Sequence, residues 1–226
     1  YADISKLLGK NDEADWALSE RKKLDENIQK KCWDGKWFIW AIAEDGTVYG
    51  TQSIEEGQIY FNTQVWSVLS GAATPEQIKT CLESVKEKLA TPYGLMLCAP
   101  PFIYASRDIM SSVVYLPGIK ENAGIFNHTQ GWGIIAEIMN GNGDRAYEYC
   151  KAALPAAYNT KAEIRQSEPY VIGQTTYSTY SKRPGNTRVS WLSGAATWNY
   201  YSITQYMLGI RPQYNGLLID PCIKHD

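Results

Sequence analysis

The sequence predicts a mainly α-helical fold: part of an (α/α)6 barrel of helical hairpins, with a short β-hairpin excursion and the start of a C-terminal β element. Apolar residues recur at helical spacing in segments that come in pairs, at 62–69 with 75–89 and at 129–139 with 144–153. A glycine-rich turn, 140–143, joins the second pair. Because neighbouring helical hairpins bury their apolar faces against one another, a toroid of paired helices is the expected arrangement.

The N-terminal segment and the stretch after it differ in pattern. Residues 2–31 are predicted to be helical, with a break near Gly9. Next, Asp34-Gly35 and Asp45-Gly46 flank a short β-prone run, which is typical of a hairpin. Because Tyr1 begins almost directly on the helical pattern, we expect residue 1 to be an internal position of a longer protein.

The second helix of the first pair has a clear N-terminal signal. Thr74 and Gln77 have the spacing of a capping box, and Pro75 occupies the first helical position. Residues 91–126 then connect the two pairs. This connection is too long and too apolar to be a simple linker, so we expect it to line a site.

The C-terminal part predicts two further helices and a β element. One helix is expected from Pro169 to about Thr176, and a long one from Trp191 to Leu208. The run Leu217 to Ile219 follows a turn and reads as a first strand. We therefore assign residues 1–211 to the C-terminal part of a catalytic barrel and 212–226 to the start of a C-terminal β domain.

One hexapeptide, Leu-Ser-Gly-Ala-Ala-Thr, occurs at 69–74 and again at 192–197. The first copy is expected to end a helix and the second to begin one. We therefore interpret the match as coincidence rather than as an internal repeat.

Composition favours a small-molecule partner over nucleic acid or membrane. The chain has 22 basic and 24 acidic residues, interspersed without blocks, so it offers neither partner an electrostatic surface. Its 8 Trp and 16 Tyr exceed its 4 Phe, and these amphipathic rings suit the faces and hydroxyls of sugars. No apolar run is long enough to span a membrane, and a cytoplasmic protein is predicted.

The cysteines indicate neither a disulfide framework nor a zinc site. They are odd in number and widely scattered, without a CxxC pair or a nearby histidine. No metal and no cofactor is expected. The five are Cys32, Cys81, Cys98, Cys150 and Cys222.

A binding site is predicted on the Pro- and Gly-rich approach to the helix at 129–139. A Lys-Glu-Asn triplet and the pair Asn127-His128 precede the apolar run of this helix. Polar groups there can face a cavity, where a helix start offers unpaired N–H groups to an anion or a sugar hydroxyl. The alternative is that Asn127 caps the helix and His128 is merely its first residue.

Side-chain chemistry groups four residues into a possible phosphate site. They supply an imidazole, an amide, a hydroxyl and a backbone N–H at a helix start, and are His128, Gln174, Ser193 and Gly194. An inverting glycosidase needs two suitably placed carboxyl groups, and no spacing identifies such a pair. A glycoside phosphorylase needs only the acid, because phosphate replaces the activated water. The carboxylates near glycine, proline or helix ends are Glu55, Glu56, Glu121, Glu137, Glu163 and Glu168.

Longer motifs carry a family resemblance. In chain order they are CWDGKWFIWAIAEDG, EEGQIYFNTQVWSVLSGAAT, YLPGIKENAGIFNHTQGWGIIAE, GNGDRAYEY, PAAYN, EPYVIGQ, WLSGAATW and LGIRPQYNGLLIDPCI. From about residue 4 to its end, the chain resembles the C-terminal half of the cellobiose phosphorylase group, glycoside hydrolase family 94. The resemblance implies an (α/α)6 barrel between a large β-sandwich and a small β domain. It also implies reversible, inverting phosphorolysis of a β-glucosyl disaccharide to α-glucose 1-phosphate and glucose.

The resemblance implies roles for residues in the matching motifs. His128, Gln174, and Ser193 with Gly194 correspond to the region that binds phosphate and the sugar of subsite −1. The family more often has Thr where this chain has Ser193. Because the hydroxyl is kept, we expect its role to survive.

The acceptor sugar and the general acid are implied in the same way. Tyr115 and Lys120 correspond to residues near subsite +1, and Glu121 is assigned there too, beside Gln174 as a further substrate contact. The family's general acid is an Asp in a Trp-Asn-Asp-like motif upstream of the first helix. No such motif occurs here, so this segment alone is expected to be inactive.

The expected partners are a disaccharide, phosphate and the remainder of the same polypeptide, with a possible homodimer. Cellobiose is the favoured substrate. A laminaribiose or other β-glucoside phosphorylase is the alternative, since acceptor loops decide linkage and Ser111-Ser112 stand where other members carry an acidic contact. A sugar-binding module without catalysis is the alternative of another class.

Overall fold

Helices make up most of the regular structure in the computed structural model, which describes residues 1–104, 114–191 and 194–223. The predicted mainly α-helical class is confirmed, and both predicted helical pairs are present. The helices are α1 (Ala2–Leu7), α2 (Asn11–Cys32), α3 (Phe61–Leu69), α4 (Pro75–Leu89), α5 (Asn127–Met139), α6 (Gly143–Ala153), α7 (Ala162–Arg165) and α8 (Ala195–Tyr201). A 3₁₀ turn covers Pro155–Tyr158, and α8 continues as a π-helix, Ser202–Met207.

The strands are short and pair antiparallel. They are β1 (Ala41–Ile42) with β2 (Val48–Tyr49), β3 (Ile59–Tyr60) with β6 (Cys98–Ala99), β4 (Ala90–Thr91) with β5 (Gly94–Leu95), β8 (Thr175–Thr176) between β7 (Ile125–Phe126) and β9 (Thr187–Arg188), and β10 (Ile210–Gln213) with β11 (Gly216–Ile219). The β1–β2 pair is the predicted hairpin excursion, and a C-terminal β element is present as predicted. The run Leu217 to Ile219, predicted as a first strand, belongs to the second strand of a hairpin, because β10 precedes it. The domain boundary proposed at 211 stays a prediction.

The helical pairs and the strands between them share one core. Side chains from α3, α4, α5 and α6 meet the strands of the 91–126 connection there. The largest fully buried apolar side chains are Trp37, Phe61, Ile59, Leu82, Leu89, Leu95, Ile125, Ile134 and Ile135. The 91–126 connection is thus part of the core where the structure describes it, and its expected role in lining a site stays a prediction.

The predicted capping box at the start of α4 is confirmed. The Thr74 hydroxyl accepts a hydrogen bond from the Gln77 N–H at 3.3 Å, and the Thr74 N–H donates to Gln77 Oε1 at 2.9 Å. Gln77 also exchanges side-chain hydrogen bonds with Gln29 of α2. The cap therefore joins α2 to α4 as well as starting α4.

Replacing Thr74 by alanine is expected to lower the free energy of unfolding by about 1 kcal/mol, because the Gln77 N–H then has no side-chain acceptor. Denaturant unfolding of the complete polypeptide measures the change. Lys79→Ala, at an exposed position of the same helix, is the control and should change stability by less than about 0.5 kcal/mol. Equal effects of the two substitutions would contradict the capping role.

A strand runs directly into a helix at the β3–α3 corner, and a buried amide fixes it. Gln64 donates through Nε2 to the carbonyl of Tyr60 at 3.0 Å and to that of Phe38 at 2.8 Å. Its Oε1 accepts the Phe38 N–H at 2.8 Å. One side chain thus satisfies both peptide groups of Phe38, which burial would otherwise leave unpaired.

The β7–α5 corner repeats this arrangement. Gln130 donates through Nε2 to the carbonyls of Phe126 at 2.8 Å and Leu95 at 3.0 Å, and its Oε1 accepts the Leu95 N–H at 2.7 Å. Both corners follow the pattern Ile-aromatic-x-x-Thr-Gln-x-Trp, and Trp66 and Trp132 pack edge to face at 5.4 Å. α3 and α5 are therefore two copies of one local unit.

The helix predicted from Pro169 to Thr176 is wrong. Tyr170 has a left-handed backbone (φ 64), which interrupts a helix one residue after its expected start. Thr175–Thr176 form β8 instead, and the Gln174 N–H donates to the Val189 carbonyl. β-branched side chains favour this extended backbone, and cross-strand pairing outweighs the helix-start signal of Pro169.

The predicted final helix has different bounds and a different end. Trp191, its expected first residue, has φ 64, and α8 begins at Ala195. From Ser202 the helix widens to the π form and ends before Gly209, as predicted. Within the described ranges, no helix is both long and apolar enough to cross a membrane.

Candidate functional site

His128 lies in the first turn of α5, half-buried among aromatic rings. Its ring meets Phe126 edge-on at 5.7 Å and Trp132 at 5.3 Å. Burial lowers the pKa of His128 because charging the imidazole would cost hydration. At neutral pH the ring is therefore mainly neutral, and it can donate one N–H to an anion.

Gln174 lies beside the start of α5. Its carbonyl accepts the N–H of Asn127 at 2.9 Å, which brings Gln174 next to His128 through the backbone. Its side-chain oxygen accepts a hydrogen bond from Lys120 Nζ. The structure therefore brings Lys120 to Gln174, and Gln174 to the backbone of Asn127, the residue before His128.

Lys120 reaches Gln174 from a tight turn. Its backbone is left-handed (φ 53), and its carbonyl accepts the Gly124 N–H at 3.0 Å. A Cβ atom at Gly124 would lie 2.5 Å from that carbonyl oxygen, so the turn requires glycine there. An ammonium beside an amide suits the oxygens of phosphate or of a sugar.

Gly194 precedes α8, which packs closely on α5. A Cβ atom at Gly131 would lie 2.7 Å from the Trp198 carbonyl oxygen, so only glycine permits this approach of the two helices. Asn199 of α8 also donates to the Asn127 carbonyl at 3.1 Å. α8 is thereby tied to α5 through Trp198 and Asn199, and the phosphate role of Gly194 stays a prediction. Ser193 lies outside the described residues.

Asn127 does not cap α5, so that interpretation is wrong. The helix begins at Asn127 itself, with Phe126 in the cap position and no side-chain cap bond. The Asn127 side chain is 4% exposed and turns instead toward residues 173–176. A capping residue stands directly before a helix, and here that position is taken by Phe126, the last residue of β7, whose backbone is extended.

Of the other residues assigned to the acceptor sugar, Glu121 lies in the same turn and Tyr115 precedes it. The hydrogen bonds that involve them do not go to Gln174 or His128. The Tyr115 carbonyl accepts Asn122 Nδ2 at 2.8 Å, and the Tyr115 side chain is 42% exposed. The Glu121 carbonyl accepts the Cys98 thiol at 3.6 Å. Oε2 of Glu121 is buried and has no hydrogen-bond partner in the part of the chain that the structure describes.

Three of the carboxylates considered as acids have structural partners. Glu56 accepts the backbone N–H of Ile103 at 2.9 Å, and Glu168 accepts the Ser190 hydroxyl at 3.0 Å. Glu137, which is 0% exposed, lies 3.5 Å from Arg145. Burial raises its pKa to about 7. These contacts account for all three carboxylates as structural residues, so none of them needs an acid role to explain its position.

The sequence prediction missed three polar residues that join the elements of the site. They are Thr176 and Asn199, together with Asn127, whose sequence position predicts a cavity-facing group or a cap but not a link between elements. A direct comparison of the two Ile-aromatic-x-x-Thr-Gln-x-Trp segments is the signal that could have identified Asn127.

Comparisons with known proteins identify relatives of this chain. The chain is 33% identical over 228 residues to N,N'-diacetylchitobiose phosphorylase of Vibrio proteolyticus, covering 100% of this chain and 28% of that protein. Solabiose phosphorylase of Paenibacillus borealis is 33% identical over 204 residues, covering 90% and 27%. Cellobionic acid phosphorylase of Neurospora crassa is 33% identical over 194 residues, covering 84% and 24%. The chain thus spans about a quarter of the length of these relatives.

A solved structure supports the fold. A sialidase chain superposes with a TM-score of 0.66 at 12% identity, over 99% of this chain and 20% of that chain. At this identity the similarity concerns the fold alone. The catalytic domain of the Glycosyl hydrolase 94 superfamily matches residues 1–209, which confirms the family resemblance of the sequence motifs. The chain belongs to the Glycosyl hydrolase 94 superfamily and covers part of its catalytic domain.

Proposed function

We propose that the complete polypeptide carrying this chain is an inverting disaccharide phosphorylase. The observation that carries the proposal is the pair of hydrogen bonds that bring Lys120 to Gln174 and Gln174 to the first turn of α5, where His128 lies. The names of the three relatives, each a phosphorylase, support it. Family membership also supports the (α/α)6 barrel as the arrangement of the complete catalytic domain.

The reaction needs an oriented phosphate and a general acid. Phosphate attacks the anomeric carbon from the face opposite the leaving sugar, so a β-linkage gives an α-phosphate. In our proposal, His128 and Gln174 donate N–H groups to the phosphate oxygens, joined by the Gly194 N–H and the Ser193 hydroxyl. These donors fix the direction of attack, and bonds from neutral groups to an anion are strong. The acid, an upstream Asp, protonates the leaving oxygen.

Lys120 separates the two halves of the proposed site. It contacts Gln174 on the phosphate side and belongs to the turn that carries Glu121 and follows Tyr115, two residues that we assign to the acceptor sugar. Cellobiose is the proposed substrate, with laminaribiose as the alternative linkage. Ser111-Ser112, which bear on linkage, lie outside the described residues. Action in the cytoplasm as a homodimer, without a cofactor, stays a prediction.

A synthesis assay tests the function. The complete polypeptide, incubated with α-glucose 1-phosphate and glucose, is expected to release phosphate and form cellobiose. Chromatography of the product against β-1,4 and β-1,3 standards assigns the linkage, and a β-1,3 product would reject cellobiose. Residues 1–226 alone, assayed in parallel, should release no phosphate, because the acid lies upstream. Absence of phosphate release by the complete polypeptide with glucose, N-acetylglucosamine and sugar-acid acceptors would reject the phosphorylase proposal.

A further inference from the structure

Asn127 occupies the junction of the three segments that carry the proposed phosphate contacts. Its Nδ2 donates to the Gly173 carbonyl at 2.9 Å, and its Oδ1 accepts the Thr176 hydroxyl at 3.2 Å. Its N–H donates to the Gln174 carbonyl, and its carbonyl accepts Asn199 Nδ2 from α8. Every polar group of this buried residue that could orient a neighbouring segment has a partner.

These bonds leave Asn127 little freedom. The segment it holds is confined from the other side, because a Cβ atom at Gly173 would lie 2.6 Å from Thr187 Cγ2 and 2.8 Å from the Arg188 carbonyl oxygen. Thr176 also shares a hydrogen bond of 3.2 Å with the Thr187 hydroxyl. Residues 173–176 are thus clamped between β9 and the Asn127 amide.

The β3–α3 corner shows what the fold itself requires at this position. There the corresponding residue is a fully buried Phe, and its N–H donates to the Leu97 carbonyl at 2.8 Å, as that of Asn127 does to Gln174. Packing alone therefore satisfies the corner, and an amide is not needed to form it. Where the two copies differ, Asn127 replaces Phe61, His128 replaces Asn62 and Gln174 replaces Leu97.

We propose that Asn127 is a positioning residue, whose side-chain amide sets the distance between His128 and Gln174 for one phosphate ion. This inference rests on the proposed function. His128 follows Asn127 directly, and Gln174 lies between the two residues that the amide holds. A shift of either segment moves a phosphate donor. The amide therefore acts on phosphate affinity through its two neighbours and does not touch phosphate itself.

The variant Asn127→Asp tests this role in the complete polypeptide. It keeps the acceptor for Thr176 and replaces the donor to Gly173 with an oxygen that repels that carbonyl. We expect the apparent KM for phosphate to rise about tenfold, with kcat at saturating phosphate reduced less than about threefold. Thr176→Val, a milder change for use if Asn127→Asp fails to fold, should raise this KM about threefold. A merely structural role would reduce the amount of active enzyme and leave KM unchanged.

Gln64→Glu is the matched control. It makes the same amide-to-acid change at the β3–α3 corner, where Gln64 is fully buried and bonds to backbone groups. It should lower stability and leave the KM for phosphate unchanged. An unchanged KM in Asn127→Asp and in Thr176→Val, or an equal rise in Gln64→Glu, would overturn the inference.

A double variant separates positioning from direct contact. If Asn127 acts through its neighbours, Asn127→Asp should raise the KM for phosphate less in a His128→Ala background than in the wild type. Fully additive effects would contradict the proposal. If the wild type catalyses no phosphorolysis, the proposed function fails. Calorimetric titration of inorganic phosphate into the same variants then decides the inference, and a wild type that binds no phosphate would overturn it.

Discussion

Replacing His128 by alanine in the complete polypeptide is expected to raise the apparent KM for phosphate by about tenfold to hundredfold, as for the loss of a hydrogen bond to a charged group. The half-buried imidazole contributes an N–H donor whose direction is fixed, because Phe126 and Trp132 hold the ring. A water molecule that replaced it would lack this fixed direction. Initial rates measured across phosphate concentrations, at a saturating disaccharide concentration, give this KM. The KM for the disaccharide should change by less than about twofold, because His128 is assigned to phosphate.

The chain supplies an internal control for this experiment. Asn62 has the position in α3 that His128 has in α5, directly before the Thr-Gln pair. Asn62→Ala should leave both KM values unchanged. If His128→Ala has an unchanged phosphate dependence, the phosphate role of His128 is withdrawn, whatever its effect on stability.

Replacing Arg145 by methionine is expected to destabilise the contact of α5 with α6 by about 1–2 kcal/mol at pH 8, because the unpaired Glu137 then takes up a proton. Arg145 lies 3.5 Å from the fully buried Glu137 and 2.8 Å from Glu83 of α4. Removing the guanidinium leaves a buried carboxylate without its counter-charge. Hydrogen exchange of the α5 and α6 amides reports the local loss in the complete polypeptide. Glu83→Gln is the control and should cost less than about 1 kcal/mol, because that carboxylate is exposed.

The same ion pair gives stability a pH dependence of known sign. Burial raises the pKa of Glu137 from 4.5 to about 7 in the folded chain. Between these values the folded state binds more protons than the unfolded state. This contribution to stability is therefore complete below about pH 4.5 and declines as the pH rises toward 7. The loss in Arg145→Met should accordingly be smaller at pH 5 than at pH 8. An equal loss at both pH values would show that Glu137 does not carry the effect.

Local signals in the sequence were enough for most of the fold. The capping box at Thr74 and the turn at Asp45-Gly46 each act within a few residues, so their effects can be read without tertiary information. The stretch after Pro169 could not be read in this way. Its strand exists because residues distant in sequence, at 125–126 and 187–188, pair with it on both sides.

The candidate site, too, could be predicted from the sequence only in part. His128, Gln174 and Lys120 could be selected by residue type and family motif, but the contacts of Gln174 with Lys120 and with the start of α5 depend on the β7–β8 pairing and on one left-handed residue. Asn127 escaped recognition because a polar residue before an apolar run is a common helix-start signal. Its true partners lie about fifty positions away in the chain.

The equivalent glutamines of α3 and α5, Gln64 and Gln130, bear on which positions at the two corners can differ. At Phe38 and Leu95 each amide bonds to main-chain atoms, so these hydrogen bonds do not depend on which side chains stand there. The two residues ahead of each Thr-Gln pair take no side-chain part in these bonds and differ between the corners, Phe61-Asn62 in α3 and Asn127-His128 in α5. The two corners therefore share the bonds of their glutamines while the residues just before them carry either core packing, as Phe61 does, or the proposed phosphate contact of His128.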